Sequence, residues 1–475
     1  MNAPTKYISA LILFLFAKTT FAQNELNSSQ QVLSFEEYLG YVKQYHPLVK
    51  QANLQLSIGE ANLLKARGGF DPKVSVDYDR KKFKQTEYYD QLNATFKIPT
   101  WYGIEFKANF EENTGQFLNP NLTVPDGGLY SAGVSFSLAQ GFLINERMAM
   151  LKKARFFIDQ TKAQRELLVN HLIFEASLAY FKWVKANTEQ EIYADFLSNA
   201  LLRFQGIKRS VESGDKASID TTEAKITYET RKLNLEAARL KTRKAALKVG
   251  TFLWLNDVPL EIKENVSPVF PDSSAISNSL YLEGITNNLK ILENHPKIRT
   301  ITAKINGVRI DRSLKRNKLL PKLDFQYNFI TPDGDQLNSF NTANYKAGVN
   351  FSIPLFLRKE RGDVKLADLK LKDANFERAA TSLTLQNRII EANAEIVSLQ
   401  EQNSLIRGIV ISYKTMLTAE ERKFELGESS LFLVNSREQK LIEAQLKANT
   451  LQIKFLKANA SLYNALGISE PEIMN

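Results

Sequence analysis

The stretch HPLVK at residues 46–50 returns as HPKIR at residues 295–299, and this pair of stretches reveals how the chain is organised. His46 and His295 are two of only three histidines among the 475 residues, and each precedes a proline. A zinc site needs three or four ligands, and neither histidine has a companion at ligand spacing. Proline favours the first helical position and disfavours helical geometry in the residue before it. Each His-Pro pair therefore predicts the start of a helix rather than a metal site.

The two stretches belong to an internal repeat. A shift of 249 residues also brings Pro72-Lys73 onto Pro321-Lys322. Further along, the shift falls to about 215 at Ala132 and then to 213, so the first copy carries an insertion of about 34 residues between Pro72 and Ala132. Two copies are too few for a solenoid, and they indicate a duplicated half. The later matches pair AGVSFSL (132–138) with AGVNFSI (347–353), and VESGDKAS (211–218) with FELGESSL (424–431).

Both copies predict the same order of elements: a helix, strands, a long helix, a tight turn and a return helix. The predicted segments are a first repeat over 23–257 (helix 35–70, strands within 73–138 with an extra hairpin at 90–112, long helix 145–213, return helix 217–255), an equatorial connection over 258–294, a second repeat over 295–467 (helix 296–320, strands 322–353, long helix 359–426, return helix 430–466) and a C-terminal tail over 468–475.

The strand segments alternate between apolar and polar residues. Leu323, Phe325 and Tyr327 are separated by Asp324 and Gln326. This period of two predicts strands with one apolar face and one polar face. The hairpin at 90–112 alternates in the same way, and two placements stay open for it: as part of a barrel, or as a surface flap outside any barrel.

The helices are unusually long. About 67 residues run from Arg147 to Ser213 without a proline, or about 100 Å at about 1.5 Å per residue. Apolar residues in both long helices and in the return helices follow a spacing of three and four. This spacing is typical of coiled-coil seams.

Composition and the N-terminus restrict the class of protein. Residues 1–22 have the pattern of a secretory signal peptide, with Lys6 before an apolar run and small residues at the end. The sequence has no cysteine, which excludes a lipidated N-terminus, disulfides and thiol chemistry. The net charge of +10 is interspersed along helices, so we do not expect a nucleic-acid partner. No later stretch reaches 18 apolar residues, so any membrane crossing has to use β-strands.

The number of strands per chain is too small to close a pore. Four to six strands fall short of the eight or so that a barrel with a lumen needs, and an open sheet edge cannot face lipid. If the strands cross a membrane, several chains therefore share one barrel, most simply as a closed ring. Trp101 and Tyr102 lie on the short turn 99–103, where we predict the interfacial aromatic girdle.

These features resemble the TolC family of outer-membrane efflux proteins. The likeness rests on the order of the repeated motifs, on FSIPLF (351–356) before the long helix and on ALG (465–467) near the end. The resemblance implies a mainly α-helical fold with a β-barrel portion: a homotrimer with a long antiparallel coiled-coil α-helical barrel and one shared transmembrane β-barrel. It implies a Gram-negative outer membrane, with the helices in the periplasm, a periplasmic membrane-fusion adaptor, and an inner-membrane pump of the RND or ABC type. If the extra hairpin joins the barrel, a trimer would have 18 strands rather than 12.

The resemblance also points to residues at the helix tips. Val211 and Gly214 match the adaptor-binding tip in the first copy, and Leu426 and Gly427 match it in the second. Some family members close the tip with acidic residues six and nine positions after the second-copy glycine. Here those positions hold Leu433 and Ser436, and the first-copy equivalents are Asp220 and Glu223. The two acids are either a periplasmic gate or an ordinary preference of acids for the start of a helix.

Two other classes of function, an enzyme and a soluble scaffold, explain the sequence less well. The sequence has no HExxH, GxSxG or phosphate-binding GxxxxGK[ST] motif, so we expect neither an enzyme nor a cofactor. A soluble periplasmic coiled-coil scaffold would explain the helices but not the amphipathic strands. The cargo stays open, because drug efflux and type I protein secretion use the same kind of conduit.

Overall fold

The computed structural model describes residues 31–282, 289–339 and 342–468. The predicted signal peptide and residues 469–475 lie outside the described residues. The helices are α1 (Phe35–Tyr45), α2 (Pro47–Arg67), α3 (Glu146–Glu212), α4 (Ser218–Gly250), α5 (Ser273–Ser279), α6 (Leu289–Asn294), α7 (Pro296–Asn317), α8 (Arg358–Glu425) and α9 (Leu431–Leu466). The strands are β1 (Gln31–Leu33), β2 (Lys73–Phe83), β3 (Thr86–Pro99), β4 (Ile104–Thr114), β5 (Leu129–Ser137), β6 (Trp254–Leu255), β7 (Val258–Pro259), β8 (Val266–Pro268), β9 (Lys322–Thr331) and β10 (Tyr345–Ser352).

The described chain divides into two compact units. Among the described residues, the first unit consists of 31–46, 176–280 and 399–457, and the second of 47–175, 281–398 and 458–468, apart from the gaps given above. Helices α3, α8 and α9 contribute residues to both units. Among the described residues, no helix is apolar over a stretch long enough to cross a membrane.

An aromatic cluster forms the core of the first unit around the start of α1. Tyr38 and Tyr180 stack with their ring centroids 5.3 Å apart, and Trp183 meets the Tyr180 ring edge-on at 5.9 Å. The Tyr180 hydroxyl lies 2.7 Å from the carbonyl oxygen of Leu33 and 2.8 Å from that of Val269. It thereby fixes the ends of the parallel pair β1–β8 against α3, and burial raises the pKa of the Tyr180 hydroxyl.

A six-stranded antiparallel sheet lies in the second unit, in the order β10-β9-β5-β4-β3-β2. The hairpin that the sequence places at 90–112 is β3–β4, and it pairs with β2 on one side and with β5 on the other. The hairpin is therefore an interior part of this sheet. The two repeats meet where β5 pairs with β9, so each chain supplies one open sheet with two free edges, β2 and β10.

The sheet has one apolar and one polar face because the register preserves the alternation of every strand. Val76 of β2 is opposite Ala94 of β3, and Phe106 of β4 is opposite Val134 of β5. Val76 and Phe106 are about half exposed in the single chain, at 60% and 49%. An apolar face of this size that stays uncovered within the chain requires an apolar environment outside it.

The predicted helix 35–70 is two helices, α1 and α2. His46 lies between them with φ −66° and ψ 132°, because Pro47 forces the preceding residue out of helical geometry. The second His-Pro pair does the same, since α7 begins at Pro296. Both helices begin at the prolines, as the sequence predicts.

The first return helix ends earlier than its predicted limit of 255. Helix α4 stops at Gly250, and the next residues form the small hairpin β6–β7. Its turn residues Asn256 and Asp257 have positive φ values of 49° and 67°, which suits a tight hairpin. The predicted connection 258–294 is thus not one continuous linker, because it contains β7, β8, α5 and α6.

His295 caps α7 and also holds the end of α9 in place. Its Nδ1 accepts a hydrogen bond of 3.0 Å from the backbone N–H of Lys297, and its side chain is buried. Gly467 has φ +61°, and a Cβ at Gly467 would lie 2.6 Å from the Nε2 of His295. The glycine of the ALG motif is therefore required by both backbone geometry and space.

The buried His295 predicts a pH-dependent stability. Burial is the main cause that lowers the pKa of His295 to about 4, below the ordinary value of about 6.5. The unfolded chain then binds the proton more tightly, so stability is complete above pH 6.5 and falls as the pH drops from 6.5 to 4, by at most about 3 kcal/mol. Unfolding midpoints measured across this range should fall less for His295→Asn, which keeps a capping acceptor. The control is His171→Asn, at an exposed histidine of α3; an equal flattening there would contradict the assignment.

Candidate functional site

The first-copy tip joins α3 to α4 by a short glycine turn. Gly214 has φ +83°, and its N–H donates to the carbonyl of Val211 at 3.1 Å. The N–H of Asp215 donates to the carbonyl of Ser210 at 2.8 Å. These two bonds end the helix in the manner of a Schellman motif, which needs a left-handed residue and hence favours glycine.

The second-copy tip joins α8 to α9 with the same geometry. Gly427 has φ +80°, and its N–H donates to the carbonyl of Phe424 at 3.1 Å. The N–H of Glu428 donates to the carbonyl of Lys423 at 2.8 Å. Leu426 is 67% exposed beside this turn, so the second tip presents a large apolar side chain to the surroundings.

The two tips pack side by side. Ile207 of α3, Ala224 of α4 and Leu431 of α9 form one buried cluster, and the half-buried Val211 and Phe424 pack against it. The structure thereby brings together the two predicted tip motifs, which lie 213 positions apart in the sequence. Together they form one surface at the end of the first unit.

The four gate candidates lie near these tips, on α4 and α9. Glu223 accepts a hydrogen bond of 3.1 Å from the Nδ2 of Asn435, the residue directly before Ser436. Asp220 is half-buried, whereas Leu433 and Ser436 are exposed. The structure thus brings one of the two acids next to the second-copy positions.

A buried ionic cluster near the tips has no counterpart among the sequence predictions. Glu438 of α9 is 1% exposed, and its carboxylate is bonded to Arg203 of α3 and lies 3.5 Å from Nε of Arg231 of α4. Arg203 also pairs with Glu421 of α8 at 3.1 Å, and Arg231 donates to Gln439 at 2.8 Å. The cluster therefore connects all four long helices.

The sequence of α9 contains a signal from which this ionic cluster could have been predicted. On α9 the buried positions Leu431, Val434, Glu438 and Leu441 follow the three-four spacing of a coiled-coil seam. Glu438 is the charged member of this apolar series. A charge at a seam position indicates a buried partner on a neighbouring helix.

The predicted girdle residues lie where the sheet meets the helices. Trp101 stacks on Phe70 with the ring centroids 5.6 Å apart, and Lys152 lies over its ring at 5.8 Å. The carbonyl of Trp101 accepts a hydrogen bond of 3.1 Å from Asn145. Trp101 thus packs against the helices, whereas Tyr102 is 58% exposed.

Apolar stripes are left uncovered along two long helices. Both stripes repeat at an interval of seven residues, as the seam of a left-handed coiled coil does. Their members are 50–74% exposed in the single chain. The stripe of α4 is Ile219, Ile226, Leu233, Leu240 and Leu247, and that of α8 is Leu369, Phe376, Leu383, Ile390 and Val397.

No group of three or more His, Cys, Asp or Glu side chains is arranged for a metal ion in the described part of the chain. The candidate functional features of the described residues are therefore surfaces: the paired helix tips, the uncovered apolar stripes of α4 and α8, and a sheet with one apolar and one polar face.

Comparison with known proteins agrees with this description. Residues 289–468 match the sequence profile of the family described as outer membrane efflux protein. The chain is 24% identical over 169 residues to the outer membrane protein TolC of Vibrio cholerae, covering 34% of this chain and 38% of that protein. It is 21% identical over 319 residues to the solvent efflux pump outer membrane protein SrpC of Pseudomonas putida, covering 66% of this chain and 65% of that protein. The chain thus matches less than two thirds of the length of these two relatives.

Solved structures of outer-membrane channels have the same fold. The Campylobacter jejuni CmeC channel superimposes with a TM-score of 0.64 at 15% identity, covering 91% of this chain and 85% of that chain. The open state of the Neisseria gonorrhoeae MtrE channel gives 0.65 at 14% identity, covering 91% and 88%. Residues 289–468 therefore carry the sequence signature of outer membrane efflux proteins, and the chain has the fold of solved outer-membrane channels.

Proposed function

We propose that this chain is one subunit of a homotrimeric outer-membrane channel. Three copies would close one barrel of 18 strands, because each chain supplies six strands with two free edges. The helices would continue it as a periplasmic tunnel of coiled coils. The channel would be the exit duct of a tripartite efflux or type I secretion system.

The observation that carries this proposal is the combination of an uncovered apolar sheet face with uncovered heptad stripes. The sheet face suits the hydrocarbon of a membrane, whereas the stripes of α4 and α8 suit helices of neighbouring copies. The two stripes lie on different helices, so contacts that bury them against neighbouring copies are head-to-tail and close into a ring. A soluble scaffold would leave the apolar sheet face in water, and nothing in the comparisons favours it.

The paired tips are the proposed contact for a periplasmic adaptor. Val211, Gly214, Leu426 and Gly427 belong to one surface, and exposed Leu426 would be an apolar anchor on it. An inner-membrane pump of the RND or ABC type would deliver the substrate through that adaptor. The names of the Pseudomonas putida relatives refer to solvent and toluene efflux, which makes small apolar molecules one candidate cargo.

Asp220 and Glu223 are the proposed gate acids. If three copies bring these carboxylates to the tip of the tunnel, they attract cations and restrict the opening. We expect planar-bilayer recordings of the purified protein to show channels. We expect Asp220→Ala/Glu223→Ala to raise the open probability and to shift the reversal potential toward a stronger preference for anions than that of wild type. Unchanged gating in the variant would remove the gate assignment. A protein that fractionates as a soluble monomer and forms no channels would remove the proposed function.

A further inference from the structure

The polar face of the sheet carries a row of lysines that crosses all six strands. The register pairs Lys73 with Lys97 and Lys97 with Lys107. The row continues through Gly133 and Asn328 to Lys346 on the far edge strand. The row, from β2 to β10, is Lys73, Lys97, Lys107, Gly133, Asn328 and Lys346, with four cations and no acid.

The two uncharged positions of the row act together. A Cβ at Gly133 would lie 2.0 Å from the carbonyl oxygen of Tyr327 and 2.4 Å from the Oδ1 of Asn328. The Asn328 side chain thus covers Gly133 and is itself buried. The row therefore contains no charged side chain between Lys107 and Lys346.

Carboxylates that would neutralise the lysines are lacking among the described residues, where none of the four forms an ion pair. Among the paired strand residues of the adjacent row nearer the helices, the acid is Glu105, which forms an ion pair of 2.8 Å with Arg147. Asp77 and Glu111 lie two rows from the lysines on one side, about 13 Å along strands that rise about 3.3 Å per residue. Asp324 lies two rows away on the other side and is paired with Lys322.

Protection of the sheet edges does not account for this row. Lysines on edge strands discourage unwanted pairing, which would explain Lys73 and Lys346. However, Lys97 and Lys107 lie on the interior strands β3 and β4. Like charges directly opposite each other on neighbouring strands destabilise a sheet. A bound anion would offset the repulsion between these lysines.

Space for an anion exists beside the row. A polar depression of about 660 Å³ is lined by the cations Lys107, Arg147 and Lys322 and by the acids Glu105, Glu146 and Asp324. The three acids are paired with Arg147, Lys318 and Lys322, so Lys107 is the described cation of this depression that forms no ion pair. Rings of lysine or arginine are the arrangement by which pores select anions.

We propose that the lysine row is an anion-binding belt that favours solutes with carboxylate, sulfonate or phosphate groups. This inference rests on the proposed function, because the row becomes a belt around a lumen only when the sheet closes with other copies. Three copies would then contribute twelve lysines to the lumen, four from the row of each chain. The channel would concentrate anions near the helix end of its strand region.

The test compares Lys97→Gln/Lys107→Gln with wild type in the full-length protein. The matched control is Lys81→Gln, which removes a lysine from the same face of β2 outside the row. Binding of the trisulfonated dye pyranine to detergent-solubilised protein is measured by fluorescence anisotropy, and reversal potentials are measured in bilayers under a potassium chloride gradient. The row variant should bind the dye at least about ten-fold more weakly at low salt and lose anion preference in the bilayer, whereas the control should match wild type. The contrast should shrink in 1 M salt, where the screening length is about 3 Å.

Several results would overturn the inference. Equal dye binding by wild type and the row variant would do so, as would a conducting wild-type channel without anion preference. An equal loss in the Lys81→Gln control would show a general charge effect instead. A protein without any conductance would refute the proposed channel, and the dye measurement would still decide whether the lysines bind anions. Thermal unfolding of each variant is measured to check that the sheet is intact.

Discussion

Two glutamates placed on the α4 stripe, in Ile226→Glu/Leu233→Glu, should leave each chain folded but abolish the trimer. Both side chains are largely exposed in the single chain, at 59% and 70%, and glutamate is a good helix former. In the proposed ring, each would be buried against a helix of the next copy. Burial of an isoleucine or leucine contributes about 1.5–3 kcal/mol, so each interface would lose about 3–6 kcal/mol, or roughly 10²- to 10⁴-fold in association.

The mass of the detergent-solubilised protein, measured by light scattering, checks this result. The control is Lys225→Glu/Lys232→Glu, which introduces the same two carboxylates and a larger change of charge on another exposed face of α4. We expect this control to remain trimeric. A trimer of unchanged mass in the stripe variant would show that α4 is not a subunit seam, and circular dichroism would confirm that its helices persist.

Glu438→Ala should cause a large loss of stability in the first unit. The carboxylate is 1% exposed and faces two guanidinium groups, whose side chains are 13% exposed in Arg203 and 6% exposed in Arg231. Removal of the acid leaves both cations buried without their shared partner, which typically costs about 3–5 kcal/mol. The denaturation midpoint of the helical signal should fall accordingly.

An apolar replacement of the whole cluster separates charge pairing from packing. Arg203→Met/Arg231→Met/Glu438→Leu removes the three buried charges together, so only the exposed Glu421 loses an ionic partner, and such replacements are often neutral or stabilising. Glu421→Gln serves as a milder comparison, because Glu421 is 40% exposed. If Glu438→Ala unfolds within about 1 kcal/mol of wild type, the cluster does not hold the four helices together.

The sequence predicts the elements well where the signal is local. The proline at 47 and the proline at 296 each start a helix, because the restriction on the preceding residue acts through the neighbouring backbone alone. Gly214 and Gly427 mark the tips for a similar reason, since both need positive φ values. Alternation of apolar and polar residues predicts strands with two faces, because the side-chain period of a strand is two.

The sequence does not predict features that depend on which helices and strands are in contact. The hairpin β3–β4 could lie inside or outside the sheet, because alternation describes a strand without naming its partners. The lysine row appears only when the register sets Lys97 opposite Lys107, and a slip of one residue would turn one of them to the other face. The cluster around Glu438 likewise draws its residues from four helices.

The chain by itself determined its duplication, its long helices, its glycine tips and its amphipathic strands, since each follows from spacing along the backbone. The tertiary structure alone decided that the sheet has six strands with two open edges. It also decided which stripes stay uncovered and which charges are buried together. The physical reason is that solvent exposure and electrostatic pairing depend on distances in space, and residues far apart in sequence set those distances.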